Sequence, residues 1–197
     1  MRTLRDRISA GEIEFAIGTG SFDEKLFHVE SLAPERLYLA VSPLNPLTER
    51  LPDPLTAEDI CNATPKFLRT KPLPLEQLRD ERFVAATAGE YDCEDLNAVC
   101  QACGFTPQIE YSVQTIETVF AFVCANMGIA LLPDSLIYYG NIQSHPNYYL
   151  LPDNISESSI LLISKRGGYL SKAASAYALL LKQLIDVGTW RMGGGPL

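Results

Sequence analysis

The sequence predicts an α/β fold in which helices cover the faces of a sheet, and two observations support this prediction. Short apolar runs at 82–86, 109–111 and 129–132 are each followed by small polar residues or a proline. Between these runs lie two segments with apolar residues at helical spacing, 96–103 and 116–126, and a glycine follows each. Alternation of strand, polar turn and capped helix is typical of α/β sheets, whose ligands bind beyond the carboxyl ends of the strands.

The N-terminal elements follow the same logic. Leu4 and Ile8 lie one helical turn apart, and Gly11 is suited to end that helix in a left-handed conformation. Alternating apolar residues over 13–17 predict a strand that ends in the polar loop 18–21. The apolar run Leu37–Val41 predicts a strand buried on both faces.

The remaining elements are predicted from caps and breakers. Four prolines make 43–54 a region of turns, and Thr56 marks a helix start within an otherwise irregular stretch. A last strand is expected at 159–163, followed by Ser171 as the N-cap of a helix over 172–186. The three glycines and the proline of 192–197 are typical of a disordered end.

Composition and charge exclude several classes of protein. The length of 197 residues fits one domain or two small ones, and 47% hydrophobic residues suffice for a core. A net charge of −8 excludes tight DNA binding by this chain alone, because duplex binding relies on Lys and Arg. No apolar run reaches the roughly 18 residues of a membrane span, and the charged N-terminus does not resemble a secretion signal. Five cysteines, an odd number, fit a cytoplasmic protein with free thiols.

Five phrases, in this order along the chain, resemble the effector-binding domain of LysR-type transcriptional regulators. They read LRDRISAGEIEFAI (4–17), LYLAVSPLNPL (37–47), LNAVCQACGFTPQIEY (96–111), MGIALLPDSL (127–136) and SSILLISKRGGYLSKAASAY (158–177). The chain departs from the family at Glu14, where Asp is usual, and at Asn45, where His is usual. Asn126 and Met127 likewise replace the family's common Ala and Gly.

The resemblance implies a type 2 periplasmic-binding-protein-like fold with two α/β subdomains joined by two crossover strands, Leu37–Val41 and Ser159–Ile163. Subdomain I would comprise 1–41 and 158–189 and be incomplete, subdomain II would be 42–157, and 190–197 would be a disordered tail. We expect the winged helix-turn-helix and the first strand-helix-strand unit of the family to be lacking here. Strands 13–17 and 159–163 then lose expected neighbours, and we expect a second copy of the chain to cover the exposed edge.

The resemblance also implies which residues line an effector cleft between the subdomains. They lie in the turns that follow strands: Thr19, Gly20, Ser42, Thr87, Gly89, Tyr91, Gln114 and Thr115. Thr87 and Thr115 have an alternative interpretation as simple helix caps, since Ser and Thr commonly play that role. Both interpretations stay open, and Glu90 at the same turn would compete with an anionic effector.

The cysteines and tyrosines also admit more than one role. Cys100 and Cys103 have metal or redox spacing, but a zinc site would need a second pair or nearby histidines. Burial as core residues is therefore favoured, with redox sensing as the alternative. The pairs Tyr138–Tyr139 and Tyr148–Tyr149 suit packing or a subunit interface, and alternatively stacking on a ligand.

These observations lead to one expected function and three alternatives. We expect an effector-sensing and oligomerisation domain that binds a small metabolite to modulate transcription, as a homodimer or larger homo-oligomer. DNA would be bound only through a DNA-binding domain outside this chain, with no membrane, metal or cofactor and no catalytic residues. The alternatives are a biosynthetic enzyme or a solute-binding protein on the same fold, and a natural truncation that partners full-length regulators.

Overall fold

The computed structural model describes residues 4–20, 22–87, 92–139 and 144–186, and the chain divides into two compact units. The first unit contains the residues up to Glu35 and those from Ser158 onward. The second unit runs from Arg36 to Glu157. The chain therefore passes from the first unit to the second once and returns once, as two crossover strands require.

The first unit is built on an antiparallel pair of strands. It contains α1 (Leu4–Ser9), β1 (Phe15–Gly18), the first part of β2 (Phe27–Val41), most of β7 (Glu157–Lys165) and α8 (Lys172–Asp186). β1 pairs antiparallel with β7, and β2 is the neighbour of β7 on its other side. The core of this unit is small and consists of Ile8, Ala16, Phe27 and Ile163.

Two predicted ends of helices in the first unit are confirmed. Gly11 follows α1 with a φ of 73°, and its amide donates to the Ile8 carbonyl at 3.0 Å. The left-handed backbone favours glycine because a side chain would clash there. Ser171 caps α8, since its hydroxyl accepts a hydrogen bond from the Ala174 amide at 3.1 Å.

The strands of the second unit are covered on both faces by hydrophobic clusters. The second half of β2 pairs antiparallel with β5 (Ala130–Pro133) on one side and with β6 (Asn147–Leu150) on the other. β3 (Arg82–Ala86) pairs parallel with β4 (Gln108–Val113), and Phe83 pairs parallel with Ile129 just before β5. Alternate residues of β2 enter opposite cores: Tyr38 and Ala40 join one cluster, Leu39 and Val41 the other. This alternation is why these strands read as continuous apolar runs in the sequence.

Besides two 3-10 helices at Pro46–Glu49 and Leu75–Leu78, the described part of the second unit contains six α-helices. They are α2 (Ala57–Cys61), α3 (Pro65–Arg69), α4 (Cys93–Ala102), α5 (Ile116–Cys124), α6 (Asp134–Tyr139) and α7 (Asp153–Ser156). The predicted start at Thr56 is confirmed, because Thr56 and Asp59 form a capping box. The predicted end of α4 is confirmed as well, since Gly104 has a φ of 78° and the Phe105 amide returns to the Cys100 carbonyl at 3.1 Å.

Several predictions need correction in extent. Residues 36–41, expected in the first subdomain, belong to the second unit because Tyr38–Val41 pairs with β6 and Leu37–Ala40 with β5. β2 begins at Phe27, well before the predicted 37, through a segment with Pro34 and several charges that does not resemble a strand. The tail 190–197 lies outside the described residues.

The tyrosine pair Tyr148–Tyr149 packs inside the second unit. Both side chains are buried within β6, and the Tyr148 ring meets the Tyr38 ring edge-on at 6.5 Å. The Tyr138 hydroxyl donates to the Ile60 carbonyl at 3.2 Å, and the side chain of Tyr139 lies outside the described part. The packing interpretation is therefore confirmed for Tyr148 and Tyr149.

Candidate functional site

The strongest candidate site lies where two parallel strands of the second unit end side by side. Ala86 at the end of β3 is in register with Val113 at the end of β4. The amide of Thr87 donates to the Val113 carbonyl at 2.7 Å, and this hydrogen bond holds the turns that follow β3 and β4 close together. Thr87, Gln114 and Thr115 are all exposed there. The structure thus brings together three of the predicted site residues at the edge where α/β sheets bind ligands.

Thr115 is the N-cap of α5. Its backbone is extended, with φ −132° and ψ 155°, and its hydroxyl accepts a hydrogen bond from the Thr118 amide at 3.3 Å. The Thr118 hydroxyl lies 3.2 Å from the Thr115 hydroxyl. The capping interpretation of Thr115 is confirmed, and its side chain is also exposed to solvent in the turn between β4 and α5.

Thr87 does not cap the helix that follows it, because Asp92 does. The Asp92 carboxylate accepts hydrogen bonds from the Glu94 amide at 2.8 Å and the Asp95 amide at 3.2 Å. A carboxylate at this position satisfies the free amides of the first turn and complements the helix dipole. The N-terminus of α4 is therefore already occupied by the negative charge of Asp92. An anionic ligand would meet Asp92, Glu94 and Asp95 there.

Cys93 also lies at this site, although it is not among the candidate site residues predicted from the sequence. Its thiol donates to the Ala86 carbonyl at 3.0 Å and lies 3.2 Å from the Ser112 hydroxyl. The thiol thus ties the first residue of α4 to the ends of β3 and β4. The sequence feature that could have indicated this role is the position of Cys93 directly after the N-cap Asp92, at the first residue of α4.

Ser42 lies away from this site, which corrects its grouping with Thr87 and Thr115. β2 runs antiparallel to β5, with Ala40 opposite Ala130, whereas β3 runs parallel to the chain at Ile129. The end of β2 therefore meets the beginning of β3, about 13 Å from its carboxyl end at roughly 3.3 Å per residue. Ser42 is 1% exposed, its carbonyl accepts from the Asn45 amide at 2.9 Å, and its role is to shape a turn.

The remaining predicted residues are distributed elsewhere. Thr19 and Gly20 follow β1 in the first unit, and Gly20 adopts a φ of 92°, a left-handed conformation that glycine takes most readily. Gly89 and Tyr91 lie outside the described residues, as does Glu90.

The cysteines of the described chain do not form a metal or disulfide site. All five are free thiols, and the described residues contain no group of three or more His, Cys, Asp or Glu that could hold a metal. Burial raises the pKa of Cys100 to about 12 and also raises the pKa of Cys103. A thiol with a raised pKa is a poor nucleophile, so the geometry favours the core interpretation over redox sensing.

The sequence and fold also match known proteins. Residues 60–185 match the family described as the LysR substrate binding domain. The chain is 43% identical over 63 residues to the HTH-type transcriptional regulator XapR of Escherichia coli, covering 32% of this chain and 21% of XapR. It is 26% identical over 174 residues to the Uncharacterized HTH-type transcriptional regulator YwbI of Bacillus subtilis, covering 88% of this chain and 51% of YwbI. The chain thus matches about half or less of the length of these curated relatives.

A solved structure supports the fold. The regulatory domain of CcmR from Synechocystis, in complex with 2-PG, superposes with a TM-score of 0.71 at 13% identity. The match covers 92% of this chain and 77% of that one. The fold is α/β with mixed sheets and of the type 2 periplasmic-binding-protein kind. No helix in the described ranges has the length and apolar character needed to cross a membrane. The chain belongs to the LysR substrate-binding-domain family, whose members are domains of transcriptional regulators.

Proposed function

We propose that this chain binds a small-molecule effector at the turns after β3 and β4 and that binding modulates transcription by the regulator to which it belongs. The adjacent ends of β3 and β4, with exposed Thr87, Gln114 and Thr115, carry this proposal. Two hydroxyls and a primary amide supply both donors and acceptors for a polar ligand. Thr19 and Gly20, which follow β1 of the first unit, are proposed as further effector contacts in their own unit.

The charge of the site favours a neutral or cationic effector over an anionic one. Asp92, Glu94 and Asp95 lie at the start of α4, and Glu117 lies in the first turn of α5. Carboxylates repel an anion, and Asp92 already accepts from the amides that an anion would otherwise use. Ser42 is left out of the proposed site because it is buried at the other end of the strands.

The mechanism we propose is a shift in population between two arrangements of the regulator. An effector that binds one arrangement more tightly stabilises it in proportion to the difference in affinity. DNA contact would belong to a separate domain, because this chain carries a net charge of −8. A catalytic role is not part of the proposal: the hydroxyl of Thr115 faces Thr118, a threonine rather than a general base.

A thermal-shift screen followed by calorimetry tests the proposal. The panel contains sugars, nucleosides, amino acids, polyamines and organic acids, including 2-PG. A ligand at about 100 times its Kd stabilises the native state by about 2.7 kcal/mol, roughly 5–10 °C in Tm for a chain of this size. Absence of any saturable shift across the panel would count against effector binding.

Variants then locate the site. Thr87→Val and Gln114→Ala each remove one exposed polar group and are expected to weaken binding about tenfold, a typical loss for one hydrogen bond to a ligand. Thr115→Val removes a helix cap as well, so its matched control is Thr56→Val, which removes the cap of α2. We expect Thr115→Val to lower both Tm and affinity, and Thr56→Val to lower Tm alone. Unchanged affinity in Thr87→Val, Gln114→Ala and Thr115→Val would refute this location.

A further inference from the structure

The first unit carries an apolar groove of about 370 Å³ between its strands and the C-terminal end of α8. The lining side chains are all apolar and come from β1, β2, β7 and α8. Among them are Ile17, Leu32, Ile160, Leu181, Leu184 and Ile185. At about 30 Å³ per molecule, roughly twelve waters would fill this volume against side chains that offer them no hydrogen bonds. The groove, here called the α8 groove, therefore favours an apolar occupant.

The walls of the α8 groove are left open by the described residues. Ile17 is 43% exposed and Leu184 is 49% exposed, although both are large apolar side chains. Leu32, Ile160 and Ile185 are half-buried. Among the described residues, the buried core of this unit comprises four side chains, so one further large apolar group would add substantially to it.

The residues that follow α8 lie next to the groove and supply an occupant. α8 ends at Asp186, directly after Ile185 of the groove wall. Residues 187–197 read VGTWRMGGGPL and include Trp190, the one tryptophan of the sequence. Trp190 follows Ile185 by five residues, which span at most about 17 Å of extended chain. Its indole can therefore reach any part of a groove that begins at Ile185.

We propose that residues 187–192 turn back after α8 and that the side chain of Trp190 fills the α8 groove. Gly188 stands two residues after the end of α8, where helices commonly end in a left-handed glycine that turns the chain away from the helical path. In an extended segment, successive side chains point to opposite sides. Trp190 and Met192 then face the groove, whereas the charge of Arg191 remains in water.

The proposal gives this segment a role as an internal cover for the apolar face of the first unit. A partner that binds at the α8 groove would first have to displace residues 187–192. For Trp190, Arg191 and Met192 the proposal departs from the disordered tail that the sequence predicts. The glycine-rich end, 193–197, lies beyond the proposed contact.

Tryptophan fluorescence tests the proposal, because Trp190 is the one tryptophan of the chain and the signal reports this segment alone. Quenching by acrylamide is measured on the native chain and on the chain unfolded in urea. A docked state favoured about tenfold leaves about a tenth of the molecules open to the quencher. The quenching constant of the native chain is therefore expected to be about tenfold lower, with an emission maximum at shorter wavelength.

Leu184→Lys locates the contact. Leu184 lines the groove, and a lysine in the last turn of a helix is favoured by the helix dipole, so the fold is expected to persist. The charge in the groove is expected to release Trp190 and to restore the quenching of the unfolded chain. The matched control is Leu180→Lys, one turn earlier on α8, which changes a leucine that is 52% exposed and outside the groove lining. It is expected to leave the quenching unchanged, and circular dichroism melts verify that both variants are folded.

Nuclear Overhauser effects provide a readout that needs no variant. They are expected between the indole protons of Trp190 and the methyl groups of Ile17 and Ile185. Native quenching equal to that of the unfolded chain, or absence of these effects, would overturn the proposal. Equal quenching in Leu184→Lys and Leu180→Lys would overturn it too, and shielding that grows with chain concentration would identify a second copy as the cover instead. Effector binding in the second unit is reported separately by the Thr87 and Gln114 variants, so either proposal can fail alone.

Discussion

Replacing Gly128 with alanine tests how closely two segments of the second unit approach each other. A Cβ atom at Gly128 would lie 2.8 Å from the Arg82 carbonyl oxygen and 2.9 Å from Val84 Cγ2. The carbonyl is backbone and cannot rotate away. It also accepts a hydrogen bond from the Ile129 amide at 2.9 Å, and the Val84 amide donates to the Ile129 carbonyl at 2.8 Å. Relief of the clash therefore displaces two strand hydrogen bonds.

The expected loss of stability is about 2–3 kcal/mol. Overpacking alone costs roughly 1–3 kcal/mol, and a weakened backbone hydrogen bond adds up to about 1 kcal/mol. Urea unfolding followed by circular dichroism measures the free energy of unfolding, and an unchanged m-value would show that the unfolded state is unaltered. A loss below about 0.5 kcal/mol would refute the close approach, because measured surface substitutions typically fall in that range.

A control variant at Gly104 and a double-mutant cycle with Val84 separate the steric clash at Gly128 from the effect of losing a glycine. Gly104 has a φ of 78° and nothing within 4 Å of a built Cβ, so Gly104→Asn tests the backbone conformation without a clash. Asparagine tolerates the left-handed region, and the expected loss is at most about 1 kcal/mol. In a double-mutant cycle, Val84→Ala should lessen the cost of Gly128→Ala by about 0.5 kcal/mol or more, since it removes one of the two close atoms. Additive losses would argue against the contact with Val84.

Two further predictions concern α4. Asp92→Ala should lower the free energy of unfolding by about 1 kcal/mol in urea titrations because it removes the cap, whereas Asp92→Asn, which retains the cap, should cost less; equal losses would contradict the capping role. Burial raises the pKa of Cys100 from 9.0 to about 12, so the folded chain holds a proton that the unfolded chain releases. This contribution to stability is present below about pH 9 and is lost as the pH rises above that value, by roughly 1 kcal/mol at pH 10. Cys100→Ala should show a correspondingly flatter decline between pH 8 and pH 10, and an identical decline in both proteins would contradict the assignment.

Local sequence signals were sufficient for the elements whose ends carry a cap or a breaker. Gly11, Thr56, Gly104, Thr115 and Ser171 each mark a boundary that the structure retains. The physical reason is that the free amides or carbonyls at a helix end must find hydrogen-bond partners within a few residues. The residues that end a helix are therefore visible in the local sequence. The apolar run Arg82–Ala86 was equally clear, because a strand buried on both faces leaves no polar alternation.

Pairing partners were not available from local signals. The long first half of β2 contains Pro34 and the charged residues Glu30, Glu35 and Arg36 without a regular alternation, and its place beside β7 makes it a strand. β6 is four residues long and became recognisable through its pairing with Tyr38–Val41. Strand identity in such segments depends on neighbours distant in the chain, which propensity does not encode.

The candidate site shows the same division. The sequence by itself determined the α/β class, the family and the polar turns at Thr87 and Thr115, because these follow from composition, phrases and caps that are local in the chain. Only the tertiary structure decided which turns meet. The parallel register of β3 and β4 joins Thr87 to Gln114 and brings in Cys93, whereas the antiparallel course of β2 carries Ser42 to the opposite end. The direction of a strand relative to its neighbours is set by long-range hydrogen bonds, and no residue within the strand specifies it.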